Sequence, residues 1–416
     1  MSVLRGNKII LNLGYYSFGI IIPGVLSFLL IPVIIGMYSP AVYAEYSLVF
    51  NSLAIVSMFC YGWVGQSYIR FYSSSGEAVQ GLTLQLLRFS LLAGFIVFTV
   101  LVFLISKLSL SKFLFFIPAF FLSGYYSFFL ISCQAKQQAL AVAKSELVRA
   151  IVNIALPLIF YLVFKRLHAI EVLSFTLCIS YLLPLILFSG RLYVRPFRIS
   201  NVLAGTDSQK MQTGILQYGL PIAVFLSVSL ALSVNDRYFI ARFMNYETAG
   251  KYAAVYDVCS KGVTAICSPV LMAFYPYIAQ QYNDGHAGAA YKSLQKALLI
   301  EGLIFITGFV FLWFGLDTLL QFVLRESVPG NFRYIALLVY AGVFLWQIAM
   351  LLHKPLELQK KTIHLAIGVI LAFVCNLAAN YFLIQQYHNV AIAAWTTLGG
   401  SVIYVLYIAI FLLKRK

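Results

Sequence analysis

The chain has 416 residues, 62% of them hydrophobic and only 10% charged, with 29 Lys and Arg against 13 Asp and Glu. Water-facing domains are about a quarter charged, so a mean hydropathy of +0.90 excludes a soluble globular protein and leaves a polytopic membrane protein. The formal net charge of +16 invites a nucleic-acid reading, which the placement of the basic residues removes.

Apolar runs of about 18 residues or more can cross hydrocarbon as helices. In chain order they fall at 9–35, 47–67, 84–105, 113–132, 147–164, 169–189, 215–234, 252–275, 297–320, 333–352, 363–383 and 390–413, with the shortest turn at 165–168. In lipid the backbone must satisfy its own hydrogen bonds, and these runs are far longer than barrel strands, so the expected fold is all-α with about twelve transmembrane helices. The first run is too long for a cleavable signal peptide and has no small-residue cleavage site, so it reads as a retained helix. With the N-terminus placed in the cytoplasm, 19 Lys and Arg fall on the inner side and 9 on the outer, leaving Lys261 alone inside a span. That bias follows the positive-inside rule, so both termini are expected in the cytoplasm and no nucleic-acid partner is implied.

The loops carry little chemistry. The longest polar connections, 190–214 and 277–296, hold no paired carboxylates and no nucleophile motif, and neither GxSxG, a P-loop nor a strand-borne GxGxxG occurs. Cys60, Cys133, Cys178, Cys259, Cys267 and Cys375 lie in or at the edge of apolar spans without a CxxC pair, which fits small core residues. His168, His286, His353, His364 and His388 are scattered, so no metal site is legible and no enzyme is expected. A bundle of helices with little outside it has the anatomy of a transporter.

An internal repeat supports that anatomy. Shifted by 206 residues, YSLVFN (Tyr46 to Asn51) lies on YAAVYD (Tyr252 to Asp257), and the turns MYSPAVYAEY and MNYETAGKY precede the two copies. Twelve spans then divide into a lobe at 1–190, a cytoplasmic linker at 191–214 and a lobe at 215–416. Six spans per half give both lobes the same orientation, related by a pseudo-two-fold axis along the membrane normal and enclosing a central cavity.

The stretch DRYFIARFMNYETAGKYAAVYDV, from Asp236 to Val258, resembles the element after the seventh helix in flippases of the multidrug/oligosaccharidyl-lipid/polysaccharide exporter superfamily. There an Asp-Arg pair precedes a short turn and a Gly-x-Tyr, here Gly250-Lys251-Tyr252. The first-half counterpart GMYSPAVYAEYSLV carries Ala44 where Gly is common. The family indicated is that of O-antigen or polysaccharide-unit (Wzx-type) flippases. The resemblance implies translocation of an undecaprenyl-pyrophosphate-linked oligosaccharide from the cytoplasmic to the periplasmic leaflet of a bacterial inner membrane by alternating access. It implies no cofactor, leaves H+, Na+ or the membrane potential open as the energy source, and makes a polysaccharide polymerase and a chain-length regulator expected partners beside the bilayer itself. A cation-coupled drug or metabolite exporter of the same superfamily and a polytopic glycan polymerase or acyltransferase stand as alternatives.

A glycan head group and its pyrophosphate need a wet, polar path and a cation. Lys261 is the first candidate, with Asp257 one helical turn earlier on the same face to neutralise it when substrate is absent. Arg237, Arg70, Tyr252 and Tyr256 are further substrate candidates; Asp236, Asp257 and Glu301 are candidates for gating or ion coupling. A structural reading stands beside each: Asp257 and Lys261 as a helix-locking ion pair, Asp236-Arg237 as the cap of a helix end, Arg70 as a topology signal, Glu301 as an interface residue pairing inward one turn after Lys296, and the tyrosines as members of interfacial belts. Tyr15 and Tyr16 join Tyr252 and Tyr256 as cavity-lining aromatics, while Pro23, Pro221, Pro269 and Pro276 mark points where spans can bend.

Overall fold

The computed structural model describes residues 2–75, 77–105, 113–136, 138–163, 169–188, 206–326, 330–359 and 361–413. Every regular element among them is a helix: α1 (Ser2–Met37), α2 (Pro40–Ser57), α3 (Trp63–Ser75), α4 (Glu77–Ile105), α5 (Phe116–Ala135), α6 (Ala139–Val163), α7 (Ala169–Phe188), α8 (Thr206–Phe243), α9 (Tyr246–Asn283), α10 (Ala287–Leu324), α11 (Gly330–Leu352), α12 (Lys354–Leu358), α13 (Thr362–Ala379), α14 (Gln385–Tyr387) and α15 (Ala391–Leu413). Two π-helical turns, Met58–Gly62 and Asn380–Ile384, join α2 to α3 and α13 to α14. Eleven stretches among the described residues are long and apolar enough to cross a membrane, and Ile21–Met37 of α1 is a shorter apolar one.

Local chemistry sets the ends. Ser39 accepts from the backbone N–H of Val42 at 3.3 Å and Pro40 opens α2, where a missing N–H costs nothing. Asn245 caps α9 through the N–H of Thr248 at 2.7 Å. Between α9 and α10 only Asp284, Gly285 and His286 are non-helical, and Gly285 takes the left-handed φ of 81° that reverses the chain. The expected polar connection at 277–296 is therefore mostly helix. Likewise 206–214 begins α8, while 191–205 and the 165–168 turn fall outside the described residues.

The chain groups into two compact units, Met1–Val33 with Leu48–Ser227, and Ile34–Ser47 with Val228–Lys416. In the first, α5 packs on α3 and α7, α6 packs on α7, and Phe98 stacks on Phe120 at 5.2 Å. In the second, α11 packs on α15, α9 and α10, with Phe305, Tyr340 and Phe344 meeting between α10 and α11. The outward side chains of α10, Phe311 and Phe314 among them, are strongly exposed, as a face turned to lipid requires.

Candidate functional site

Consecutive helix residues point about 100° apart, so three polar residues in a row reach three different neighbours. Asn235, Asp236 and Arg237 do this from inside α8, all in the second unit, and all are buried. Asn235 donates to Asn376 Oδ1 of α13 at 2.7 Å, while Asn380, the first residue of the π-turn, donates to Asn235 Oδ1 at 2.9 Å. Thr396 of α15 closes that network by donating to Asn380 Oδ1 at 2.5 Å. Asp236 accepts from Tyr252 of α9 at 2.5 Å, from Thr397 of α15 at 3.1 Å and from the N–H of Arg237 at 2.8 Å.

Arg237, 2% exposed, carries the one buried ion pair of this cluster. Its Nη2 lies 2.6 Å from Asp257 Oδ1 and its Nη1 3.3 Å from Oδ2, with Nη1 also donating to Ser47 at 2.8 Å. Tyr43 donates to Asp257 Oδ2 at 2.5 Å, and the guanidinium sits 5.0 Å from the centroid of the Tyr256 ring. The pair is bidentate and charge-assisted, the strong form of such contacts. Even so, Arg237 Nε is buried with no hydrogen-bond partner. Asp257 keeps 21% of its side chain exposed, so the pair is reachable from its carboxylate side.

No protein-family profile and no curated sequence matches the chain. Solved structures do. A mutant of the Vibrio cholerae MATE transporter VcmN matches with a TM-score of 0.68 and 15% identity over 99% of this chain and 97% of that one. The lipid II flippase MurJ, in an inward closed conformation, matches at 0.70 and 13% identity over 96% of this chain and 87% of that one. The eukaryotic MATE transporter AtDTX14 gives 0.60 and 12% identity over 100% and 96%. The fold is that of the MATE transporters and of MurJ. These neighbours are transporters and a flippase rather than enzymes.

On this MATE- and MurJ-like scaffold several expected placements change. Asp236 and Arg237 do not cap a helix end, because α8 runs on to Phe243 and buries both. Asp257 does not serve Lys261 first. Its carboxylate is taken by Arg237 from the neighbouring helix, and half-buried Lys261 adds to the positive field from one turn away. Nor is Lys261 alone inside a span, since Arg237 is more deeply buried and Arg149 lies inside α6. Glu146, one residue before the expected span at 147–164, also lies inside α6, where it pairs with Arg149 at 2.7 Å and accepts from Tyr126 of α5 at 2.9 Å. Glu301 is buried on α10, and its Oε2 has no hydrogen-bond partner. Arg70 lies on α3 and Tyr15 and Tyr16 on α1, their side chains outside the described residues.

The structure brings together Arg237, Asp236, Asp257, Tyr252 and Tyr256, and adds Tyr43, Ser47, Asn235, Asn376, Asn380, Thr396 and Thr397, which sequence reasoning missed. Gly250 acquires a reason as well. A Cβ there would collide with the backbone carbonyl of Pro40, so the start of α9 can approach α2 only as glycine. Within Gly250-Lys251-Tyr252, Lys251 bridges Glu247 at 2.9 Å and Glu326 at 2.8 Å, and Tyr252 reaches Asp236. A second polar cluster, also missed, joins α9, α12 with its N-cap His353, and α15. Lys354 pairs with Glu357 at 2.5 Å and lies over the Tyr275 ring, Tyr275 donates to Glu357 at 2.9 Å, and His353 meets Tyr404 at 3.0 Å. Among the described residues no group of three or more His, Cys, Asp or Glu is placed to hold a metal ion.

Proposed function

We propose that this chain is a multi-pass membrane transporter of the MATE and MurJ kind. Its cargo is an oligosaccharide linked through pyrophosphate to a polyprenyl lipid, moved from the cytoplasmic to the periplasmic leaflet of a bacterial inner membrane by alternating access. The observation that carries the reading is the cation cluster of the second unit. Arg237 is buried in a span, held by the single carboxylate of Asp257, with an unused Nε donor and with Lys261 one turn beyond. An intramembrane cation is expensive unless it serves a charged partner. A pyrophosphate offers several anionic oxygens where Asp257 offers two, so it can compete for both cations, and Tyr252 and Tyr256 flank the place of exchange. The likeness of the fold to a lipid II flippase supports the same class of cargo.

The test is genetic. Deleting the gene in its host is expected to remove surface polysaccharide while lipid-linked repeat units accumulate in the cytoplasmic leaflet. The native copy restores export, and a normally expressed Lys261→Ala copy does not. Intact surface glycan after deletion overturns the cargo, whereas full rescue by Lys261→Ala removes Lys261 from the anion contact.

A second reading, MATE-type export of a small molecule, is favoured by the near-complete mutual coverage with VcmN, 99% and 97% against 87% of MurJ. Under that reading the deletion leaves surface polysaccharide intact and sensitises the cell to exported compounds.

A further inference from the structure

The amide network of the second unit closes except at one nitrogen. Asn376 Oδ1 accepts from Asn235 at 2.7 Å and from Asn380 at 3.2 Å, so the oxygen and nitrogen of Asn376 cannot exchange places without setting two donors against a third. That orientation leaves Asn376 Nδ2 buried and without a hydrogen-bond partner among the described residues. The residue is 2% exposed, and it lines a cleft of about 450 Å³ between α13, the π-turn after it and α15. Leu383 and Ile403 give that cleft apolar walls, and Trp395, 51% exposed, gives it an aromatic one. Two glycines of α15 line it as well. Gly400 has a packing reason, since a Cβ there would meet Leu232 of α8 at 3.0 Å. At Gly399 a Cβ would meet nothing within 4 Å, so α15 carries a poor helix former there with no described neighbour that requires it. What the missing side chain leaves is room in the cleft.

Depth selects the occupant. Eleven residues separate Asn376 from Tyr387, the last residue of the span, which is about 16 Å of helix. Half the hydrocarbon thickness is about 15 Å, so this amide lies near the middle of the layer. Apolar walls suit a lipid-soluble molecule, and a donor without an acceptor suits one that carries a neutral oxygen. An anionic group would stand there without a counter-charge, because none of the described residues lining the cleft is Lys or Arg. The ester carbonyls of a phospholipid are held at the interface by its head group, about 15 Å away. A carbonyl on the ring of an uncharged lipid can reach this depth, and the flat ring can lie against Trp395 and the bare backbone of Gly399.

We propose that this cleft binds a neutral lipid with a carbonyl-bearing ring, of the chemical class of the membrane quinones, whose carbonyl accepts from Asn376 Nδ2. The site belongs to the second unit alone and goes beyond the transport reading, whatever the cargo.

The full chain in phosphatidylcholine nanodiscs is titrated with decylubiquinone, isotope-labelled at its carbonyl carbons, and followed by infrared difference spectroscopy. A carbonyl band below the frequency of the free quinone is expected, saturating at one quinone per chain. Asn376→Leu should remove the shifted band and weaken binding about three- to tenfold. That change strands no neighbour, because Asn235 keeps the carbonyls of Ala231 and Leu232 and Asn380 keeps Asn235 Oδ1. Gly399→Leu fills the cleft and should abolish saturable binding. Two competitors test the native chain without any substitution: dodecylbenzene, which has the ring and chain but no carbonyl, and monoolein, whose carbonyl is an ester. Neither is expected to displace the quinone. Displacement by either at matching concentration, or a shifted band that survives Asn376→Leu, overturns the proposal. So does the lack of any saturable band, which would leave the amide to water.

Discussion

Replacing Asp257 by Asn tests the central geometry most directly. The change keeps the side chain's shape but removes the carboxylate bonded to the Arg237 guanidinium at 2.6 and 3.3 Å, the only one among the described residues, and turns the acceptor of Tyr43 into an amide. Arg237 is 2% exposed and cannot turn to water for compensation. Two charge-assisted hydrogen bonds are weakened, each worth about 1.5–3 kcal/mol, and breaking one side of a buried ion pair generally costs about 3–5 kcal/mol. The expected loss is therefore about 3–5 kcal/mol. Combining Asp257→Asn with Arg237→Met removes the stranded cation, so the double variant should regain at least half of that loss, about 1.5–2.5 kcal/mol. Thermal and denaturant unfolding of the purified protein in nanodiscs, followed by circular dichroism, measures all four corners of the cycle. Native-like stability of Asp257→Asn, or a double variant whose loss equals the sum of the two singles, would refute the pairing.

Two further changes test packing. Gly250→Ala should gain up to about 1 kcal/mol if only helix propensity mattered, but the added methyl meets the Pro40 carbonyl, so a loss of about 1–3 kcal/mol and a lower yield of folded protein are expected instead; unfolding midpoint and membrane yield decide the sign. Asn380→Ala leaves the side-chain oxygen of Asn235 without the donor it has now, while the hydroxyl of Thr396 keeps the Ala393 carbonyl at 2.9 Å. At about 1–3 kcal/mol for that stranded acceptor, its unfolding midpoint should fall below that of Ala379→Gly, a neighbouring change that strands no polar group.

The helices were legible because twenty apolar residues in a row have one use in lipid. Their ends were not, because hydropathy marks where a chain leaves hydrocarbon and not where it stops being helical. For that reason Arg237, at the edge of an apolar run, looks like the cap of a span, although α8 continues for six more residues to Phe243. It also explains why 277–296 reads as a polar connection when α9 and α10 run through most of it. Pairing suffers from a different blindness. Asp257 and Lys261 are four apart and suggest a pair by helix geometry alone, yet the carboxylate is taken by Arg237, 20 residues back, and Tyr43, 214 residues back. Gly250-Lys251-Tyr252 could be flagged from its pattern, but its three reasons, a close backbone approach, a double ion pair and a bond to Asp236, belong to tertiary structure.

The three-way fan of α8 suggests how the proposed exchange could be local. Helices in lipid have little hydrophobic reason to choose one partner over another, so polar contacts set which faces meet. The Asn235 network to α13 and α15 and the Asp236 contacts to α9 and α15 are made by groups that an incoming anion has no charge to compete for. Of the three, the Arg237 contact is the one that pairs a cation with an anion, and it ties α8 to Asp257 and, through Ser47 and Tyr43, to the first turns of α2. A pyrophosphate taking the guanidinium from Asp257 would loosen that tie and leave the other two in place. Under the proposed function the stable part of the fan keeps the second unit folded while its ionic third responds to cargo. Substitutions at Asn235 should accordingly act on stability, and substitutions at Asp257 on stability and transport together.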